Sequence, residues 1–208
     1  MYEINLTHGV WVPLDADQFR HSTDGSLANQ KTEVHLKYDD DLLHVRFRCY
    51  DNPFTAQNSM TKHNDDLYNQ EVFEVFVATS EADPTNYLEF EINPNNAIWV
   101  GQVFNPTLGE GGGNKLTMVP YNEANITHDV KVMENAWFGQ FAIPWKLIGG
   151  KTDSCRINFY RIVSKTSHDN ADWICTPETC DFTCWSPTMS GENPAFHKPK
   201  KFGVMNLS

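Results

Sequence analysis

A chain of 208 residues can bury a substantial core without metal or disulfide staples, so one domain spanning 1–208 is its simplest organisation. The formal net charge of −11 repels phosphate backbones, and no basic run interleaved with aromatics offsets that field, which argues against a nucleic-acid partner. No apolar stretch approaches the roughly 20 residues of a membrane-spanning helix, and Met1-Tyr2-Glu3-Ile4-Asn5-Leu6 lacks the basic start and apolar middle of a secretory signal. Two compartments remain: extracellular or periplasmic if an export signal has been removed, cytoplasmic otherwise.

Strict alternation recurs along the chain, and a helical stripe is almost absent. Val34 and Leu36 lead through a turn at Asp39-Asp40-Asp41 into Leu43, Val45, Phe47 and Cys49, which alternate with His44, Arg46, Arg48 and Tyr50. This spacing predicts a hairpin. After an irregular stretch at 52–69, Glu71-Val72-Phe73-Glu74-Val75-Phe76-Val77 reads as a strand in which Glu74 shares its face with Val72, Phe76 and Ala78. A carboxylate on an otherwise apolar face needs a partner, either a ligand or one of Arg46, Arg48 and Arg161.

Leu88, Phe90 and Ile92 then alternate with Tyr87, Glu89, Glu91 and Asn93, a polar stripe expected on a solvated sheet face. Pro94-Asn95-Asn96 turns the chain into a second hairpin with 97–104. The segment Leu108-Gly109-Glu110-Gly111-Gly112-Gly113-Asn114 lacks the Lys-Ser/Thr ending of a P-loop and leads into a strand, so it is expected to be a flexible loop.

Further strands are predicted around 116–119, 126–133, 137–143, 156–164, 183–186 and 202–207. Ile143-Pro144-Trp145-Lys146-Leu147-Ile148-Gly149 has Pro near its start and Gly at its end, as in a single helical turn that plugs one end of the core. About ten short strands with one or two such turns predict an all-β fold, an antiparallel, jelly-roll-like β-sandwich. Phe90→Ala tests the phasing, because Phe73, Val75, Phe90, Ile92, Phe141 and Phe159 occupy its inward positions.

Of five cysteines, Cys175, Cys180 and Cys184 are close enough in sequence for one local bridge, although small apolar packing explains them equally well. Structural zinc usually shows a second ligand pair, which this run does not offer. The tail places Trp185-Ser186-Pro187, Asn193-Pro194-Ala195-Phe196-His197 and Phe202-Gly203 together, with rings set among hydrogen-bonding groups. Such a mixture suits a sugar, whose C–H face lies on a ring while its hydroxyls pair with polar groups. Trp99, Trp137, Trp145 and Trp185 fit packing positions, which leaves Trp173 as the alternative exposed ring.

The order of these motifs resembles the family 9 carbohydrate-binding modules and their wider DOMON-like β-sandwich relatives. The matching residues run from Asn64-Asp65-Asp66 and Glu71 to Val77, through Tyr87-Leu88-Glu89-Phe90-Glu91-Ile92-Asn93-Pro94-Asn95, Phe141-Ala142-Ile143-Pro144-Trp145 and Ile157-Asn158-Phe159-Tyr160-Arg161, to Trp185-Ser186-Pro187-Thr188 and Phe196 to Gly203. The resemblance implies a non-catalytic site in which Tyr68 and Phe196 grip a mono- or oligosaccharide, supporting polysaccharide breakdown by a separate glycoside hydrolase. It places Glu74 and Asn193 on the sugar hydroxyls, with Glu91 and Tyr160 at positions usually held by Arg and Gln and with Arg161 alongside. No cofactor is required.

Three other readings compete. Glu89 and Glu91 lie roughly 7 Å apart along one strand face, between the separations of retaining and inverting glycosidase pairs. Some DOMON-like relatives hold haem through Met and His, which would need one of each facing a common pocket. Asp39 to Asp41 and Asp65-Asp66 offer oxygens to a structural calcium ion, but without EF-hand spacing.

Overall fold

The computed structural model describes residues 2–14 and 19–208. In chain order the strands are β1 (Glu3–Leu6), β2 (Val12–Pro13), β3 (Arg20–His21), β4 (Thr32–Tyr38), β5 (Leu42–Tyr50), β6 (Val72–Ala78), β7 (Asn86–Ile92), β8 (Ile98–Phe104), β9 (Lys115–Met118), β10 (Thr127–Val132), β11 (Ala136–Pro144), β12 (Ser154–Ser164), β13 (Cys180–Cys184) and β14 (Gly203–Leu207). A nine-stranded sheet runs β1-β14-β12-β6-β7-β8-β9, with β13 also on β12 and β3 on β13. A five-stranded sheet runs β10-β11-β5-β4-β2. Among the described strands, the pairing of β1 with β14 is parallel and the others are antiparallel.

Both predicted hairpins form, as β4–β5 and β7–β8. The two-residue strands β2 and β3 escape sequence reading, because so short a segment shows no period. β13 starts at Cys180, upstream of its predicted position, where Asp181 and Thr183 mask the alternation.

The sheets close on one apolar core. Phe73, Val75, Phe90, Ile92, Phe141 and Phe159 are all buried in it, as the alternation predicts. Phe47 stacks on Phe73 with ring centroids 4.3 Å apart, and Phe90 packs on Phe141 at 4.2 Å. The turn after β11 forms as expected: Trp145–Ile148 is a 3₁₀ turn that buries Trp145 and Ile148 and is ended by Gly149 at φ 97°.

A buried ion pair closes the sandwich beside this core. Glu71 and Arg161 are both fully buried and meet at 3.0 Å. The Glu71 carboxylate also accepts from Trp137 Nε1 at 2.7 Å and from the Asn52 amide, while Arg161 Nη1 donates to Lys31 O at 3.2 Å. Burial holds the Glu71 carboxyl above its ordinary range, with Arg161 providing the largest opposing effect.

Two denaturation experiments test this architecture. Phe90→Ala should lower stability by about 3–5 kcal/mol, because the site is closed on all sides. Arg161→Met should cost about 3–5 kcal/mol at neutral pH by leaving Glu71 buried without its cation. An unchanged urea midpoint in either variant would contradict the packing described.

Candidate functional site

The outward side of the large sheet is not solvated. Alternation turns Glu74 and Phe76 of β6, Tyr87, Glu89 and Glu91 of β7, Trp99 and Val103 of β8, and Tyr160 and Ile162 of β12 away from the core. Two further apolar clusters form on this side. Leu67 and Trp173 pack over Val72, Trp99 and Ile162, and Phe202 and Phe196 pack over Phe76, Tyr87 and Tyr160.

Between these covers an open cleft of about 550 Å³ remains, lined by the rings of Tyr68, Trp99 and Phe196, the carboxylates of Glu74 and Glu89, and the polar side chains of Asn69, Asn114 and His197. Tyr68 is 44% exposed, which leaves its ring free for contact. Phe196 stacks on Tyr160 with centroids 4.4 Å apart, and the Tyr160 hydroxyl donates to Phe196 O at 3.0 Å. One glycine is required here: a Cβ on Gly101 would lie 2.7 Å from both Trp99 Cη2 and Leu116 Cδ1, so its absence lets the indole lie along the sheet.

The expectation of a solvated stripe on β7 is overturned. Glu74, Glu89 and Glu91 are only 2%, 6% and 0% exposed, since the loops cover the face that alternation alone assigns to water. Glu74 stands directly opposite Glu91 across the β6–β7 ladder, and Glu89 stands opposite Phe76. Two ionised carboxylates about 5 Å apart repel by about 3 kcal/mol at an effective dielectric near 20, so this group does not hold three full charges.

Burial, reinforced by the field of Glu89, pushes Glu74 well above the usual carboxylate range. Burial also raises Glu91, helped by Glu74 and Glu89, and pushes Glu89 up to about 8. The Tyr68 N–H opposes the Glu91 shift without forming a hydrogen bond to either oxygen. Both Glu91 oxygens and Oε1 of Glu74 lack hydrogen-bond partners.

No cation among the cleft-lining residues offsets this group. His197 is the nearest basic side chain, with Nε2 at 3.9 Å from Glu89 Oε2, and burial pushes its imidazole down to about 4. Its Nδ1 meets the Tyr87 hydroxyl at 2.8 Å. With the imidazole neutral, Tyr87 O–H donates to Nδ1 and the Nε2 proton is directed towards Glu89.

The residues expected at the site divide into three groups. Tyr68, Glu74 and Phe196 line one cleft. Tyr160 lies buried beneath Phe196, and Glu91 lies behind Glu74 without lining the opening, so both support the site from below. Arg161 is not in the cleft: it sits one residue on from Tyr160 along β12, hence on the core side of the sheet, where Glu71 takes it. Asn193 is exposed, lies outside the lining, and contributes its carbonyl to Ser190 Oγ at 2.8 Å.

Nor do any of the three arginines satisfy Glu74, because Arg46 and Arg48 belong to the other sheet. Trp173 is buried, donates from Nε1 to Gln57 O at 2.8 Å and is no ligand ring. Sequence reasoning missed Trp99 as a lining residue. The register signal was present, because a hairpin pairing Ile92 with Ile98 must also pair Glu91 with Trp99 on the outward face.

The two segments bordering the cleft are tied down. The Gly-rich loop is pinned, not loose. Lys198 Nζ donates to Gly109 O, Lys200 Nζ meets Glu110 Oε1 at 2.7 Å, and Asn105 Nδ2 donates to His197 O at 3.2 Å, which joins this loop to the tail that carries Phe196. Opposite, Cys175 is bonded to Cys180, the local bridge that the cysteine spacing allowed. Cys175 N donates to Asn69 O at 2.7 Å, holding the Leu67–Asn69 turn that presents Tyr68.

The haem and calcium readings gain nothing from this geometry. The cleft lining contains His197 but no Met. Among the described residues no group of three or more His, Cys, Asp or Glu is placed to hold a metal ion.

The carboxylate shifts make stability depend on pH. Glu89 keeps its proton in the fold up to about 8, whereas in the unfolded chain it releases it near 4.5. Its contribution is therefore complete below about 4.5 and is lost as the pH rises towards 8. The raised values of Glu74 and Glu91 act in the same direction. Urea unfolding across this window should show stability falling by on the order of 1 kcal/mol per pH unit. Glu89→Gln should flatten the slope, and an equally steep profile in that variant would contradict the assignment.

The sandwich has counterparts among known proteins. The profile of the carbohydrate family 9 binding domain-like family matches residues 8–208. A protein of Arthroderma benhamiae named "Extracellular protein" is 29% identical over 147 residues, a match covering 64% of this chain, and the chain spans 64% of that curated relative's length. A Bacteroides uniformis protein proposed to bind carbohydrate superposes with a TM-score of 0.70 at 12% identity, covering 99% of both chains.

A family 9 carbohydrate-binding module of Caldicellulosiruptor kristjanssonii, solved with glucose, gives a TM-score of 0.59 at 14% identity over 99% of this chain and 95% of that one. Its complex with cellotriose gives 0.55 at 12% identity over 99% and 93%. At these identities the superpositions establish the sandwich fold, and the sequence match supplies the family. The chain belongs to the carbohydrate family 9 binding domain-like family.

Proposed function

We propose that the chain is a single non-catalytic module that binds a mono- or oligosaccharide in the cleft on the large sheet. The observation that carries this reading is the pairing of ring faces with acid groups in one opening: Tyr68, Trp99 and Phe196 beside Glu74 and Glu89. A pyranose offers C–H faces to the rings and hydroxyls to the carboxyls, to Asn69 and to Asn114, and holding it breaks no bond. The sugar-bound state of the C. kristjanssonii module supports the reading by analogy of fold.

The glycosidase alternative is disfavoured. The pair read from the sequence would need Glu89 and Glu91 both to flank a glycosidic bond, and Glu91 is fully buried and does not line the cleft. Action outside the cell fits the Cys175–Cys180 bridge, which persists in oxidising compartments, and the name of the A. benhamiae relative. In that setting a separate glycoside hydrolase acting on the same polysaccharide is the expected partner.

Calorimetric titration of the purified chain with mono- and oligosaccharides tests the function, and absence of heat across a broad panel would refute it. Tyr68→Ala should weaken binding by about 1–3 kcal/mol with little change in the unfolding midpoint, because the ring is largely exposed in the free protein. Phe196→Ala should weaken binding comparably and also cost about 1 kcal/mol of stability through the lost stack on Tyr160. Sustained turnover of an aryl glycoside, abolished by Glu91→Gln, would replace the binding reading with a catalytic one.

A further inference from the structure

The floor of the cleft holds buried acid oxygens that no side chain around it satisfies. Glu74 and Glu89 line it, Glu91 stands immediately behind Glu74, and neither Lys nor Arg is among the lining residues. The other buried acids among the described residues are compensated. Glu71 has Arg161, Trp137 and Asn52, and buried Asp181 has Lys165 at 3.6 Å and Gln30 Nε2 at 3.2 Å. In the cleft, by contrast, Oε1 of Glu74 has no partner although the residue is only 2% exposed, and across the ladder from it both oxygens of Glu91 are unpaired.

The groups facing these acids are poor sources of charge. The Tyr68 phenol is held up by burial and then by Asp66, the Tyr160 hydroxyl is committed to Phe196 O, and His197 is neutral. Asp66 adds a further negative field at Glu91. A hydroxyl donates one proton to such a site, whereas an ammonium group donates three and brings the positive charge that lets a buried carboxyl ionise. A hard divalent ion is a poorer occupant, since it requires about six oxygens, and no metal-capable cluster occurs among the described residues.

Resting on the proposed sugar-binding function, we propose that the cleft selects amino sugars: a pyranose ring packed against Tyr68 and Phe196, with a protonated amine seated on Glu74 and Glu89 and supported from behind by Glu91. The ring faces distinguish this ligand from a simple amine, and the carboxylates distinguish it from a neutral sugar. Burial raises the three acids while the cleft is empty, so seating an ammonium group favours the ionised form of a carboxyl that it touches and expels a proton. A neutral sugar lacks that linkage.

The test titrates the intact chain at pH 6 with glucosamine, glucose and N-acetylglucosamine, and with the trisaccharides of each series, in two buffers of different ionisation enthalpy. The amine is expected to bind at least tenfold more tightly than its hydroxyl and acetamido counterparts, with proton release seen for the amine alone. In Glu74→Gln the ratio of amine to hydroxyl affinity should collapse towards one, with circular dichroism confirming the fold.

Equal affinities of the three monosaccharides, or an amine preference undiminished in Glu74→Gln, would overturn the amino-sugar assignment while leaving sugar binding intact. Failure of every sugar to bind would overturn both readings. Tight binding of methylammonium alone, matching that of glucosamine, would also overturn this assignment, because it would show that the rings contribute nothing.

Discussion

The strand pair β6–β7 is covered on both faces, and the rest of the molecule follows from that constraint. A strand changes face at every residue, so Phe73, Val75, Phe90 and Ile92 can fill the space between the sheets only if Glu74, Phe76, Glu89 and Glu91 turn the other way. In a two-layer sandwich these outward positions would meet water. Here loops and the tail cover them, and carboxylates that the strand period assigns to solvent become desolvated.

The protein handles two sets of buried acids in opposite ways. Glu71 is bound from three sides, by Arg161, Trp137 and Asn52, and this closed network ties the residue preceding β6 to β11 and β12. Glu74, Glu89 and Glu91 receive no cation, and burial raises all three instead. The first arrangement is complete without any ligand. The second leaves oxygens unpaired at the floor of an opening whose walls are aromatic, the contrast on which the proposed binding site rests.

Holding that opening in shape depends on contacts far apart in sequence. Lys198 and Asn105 lock the Gly-rich loop to the tail that carries Phe196, and the Cys175–Cys180 bridge supports the Asn69 backbone beside Tyr68. Each ring therefore stands on an anchored segment, Phe196 directly on Tyr160. A preformed ring platform lowers the ordering cost of ligand binding, and it makes the cleft suited to capture without requiring movement to assemble it.

Much of the fold was legible in the sequence, because alternation is local: the two hairpins, the inward residues of β6, β7, β11 and β12, and the turn closed by Gly149 all follow from neighbouring residues. The very short β2 and β3 carried no period to read. Motif order also indicated Tyr68, Glu74 and Phe196, which do line one cleft. Which partner each charge meets was beyond the sequence. Arg161 sits one residue from Tyr160, yet the pleat sends it to Glu71 in the core, and Glu89 and Glu91 read as solvated until distant loops are seen to cover them. The sequence alone determined the period of each strand and so the division of its side chains between two faces, whereas only the tertiary structure decided which face met water, because burial depends on segments brought together from far along the chain.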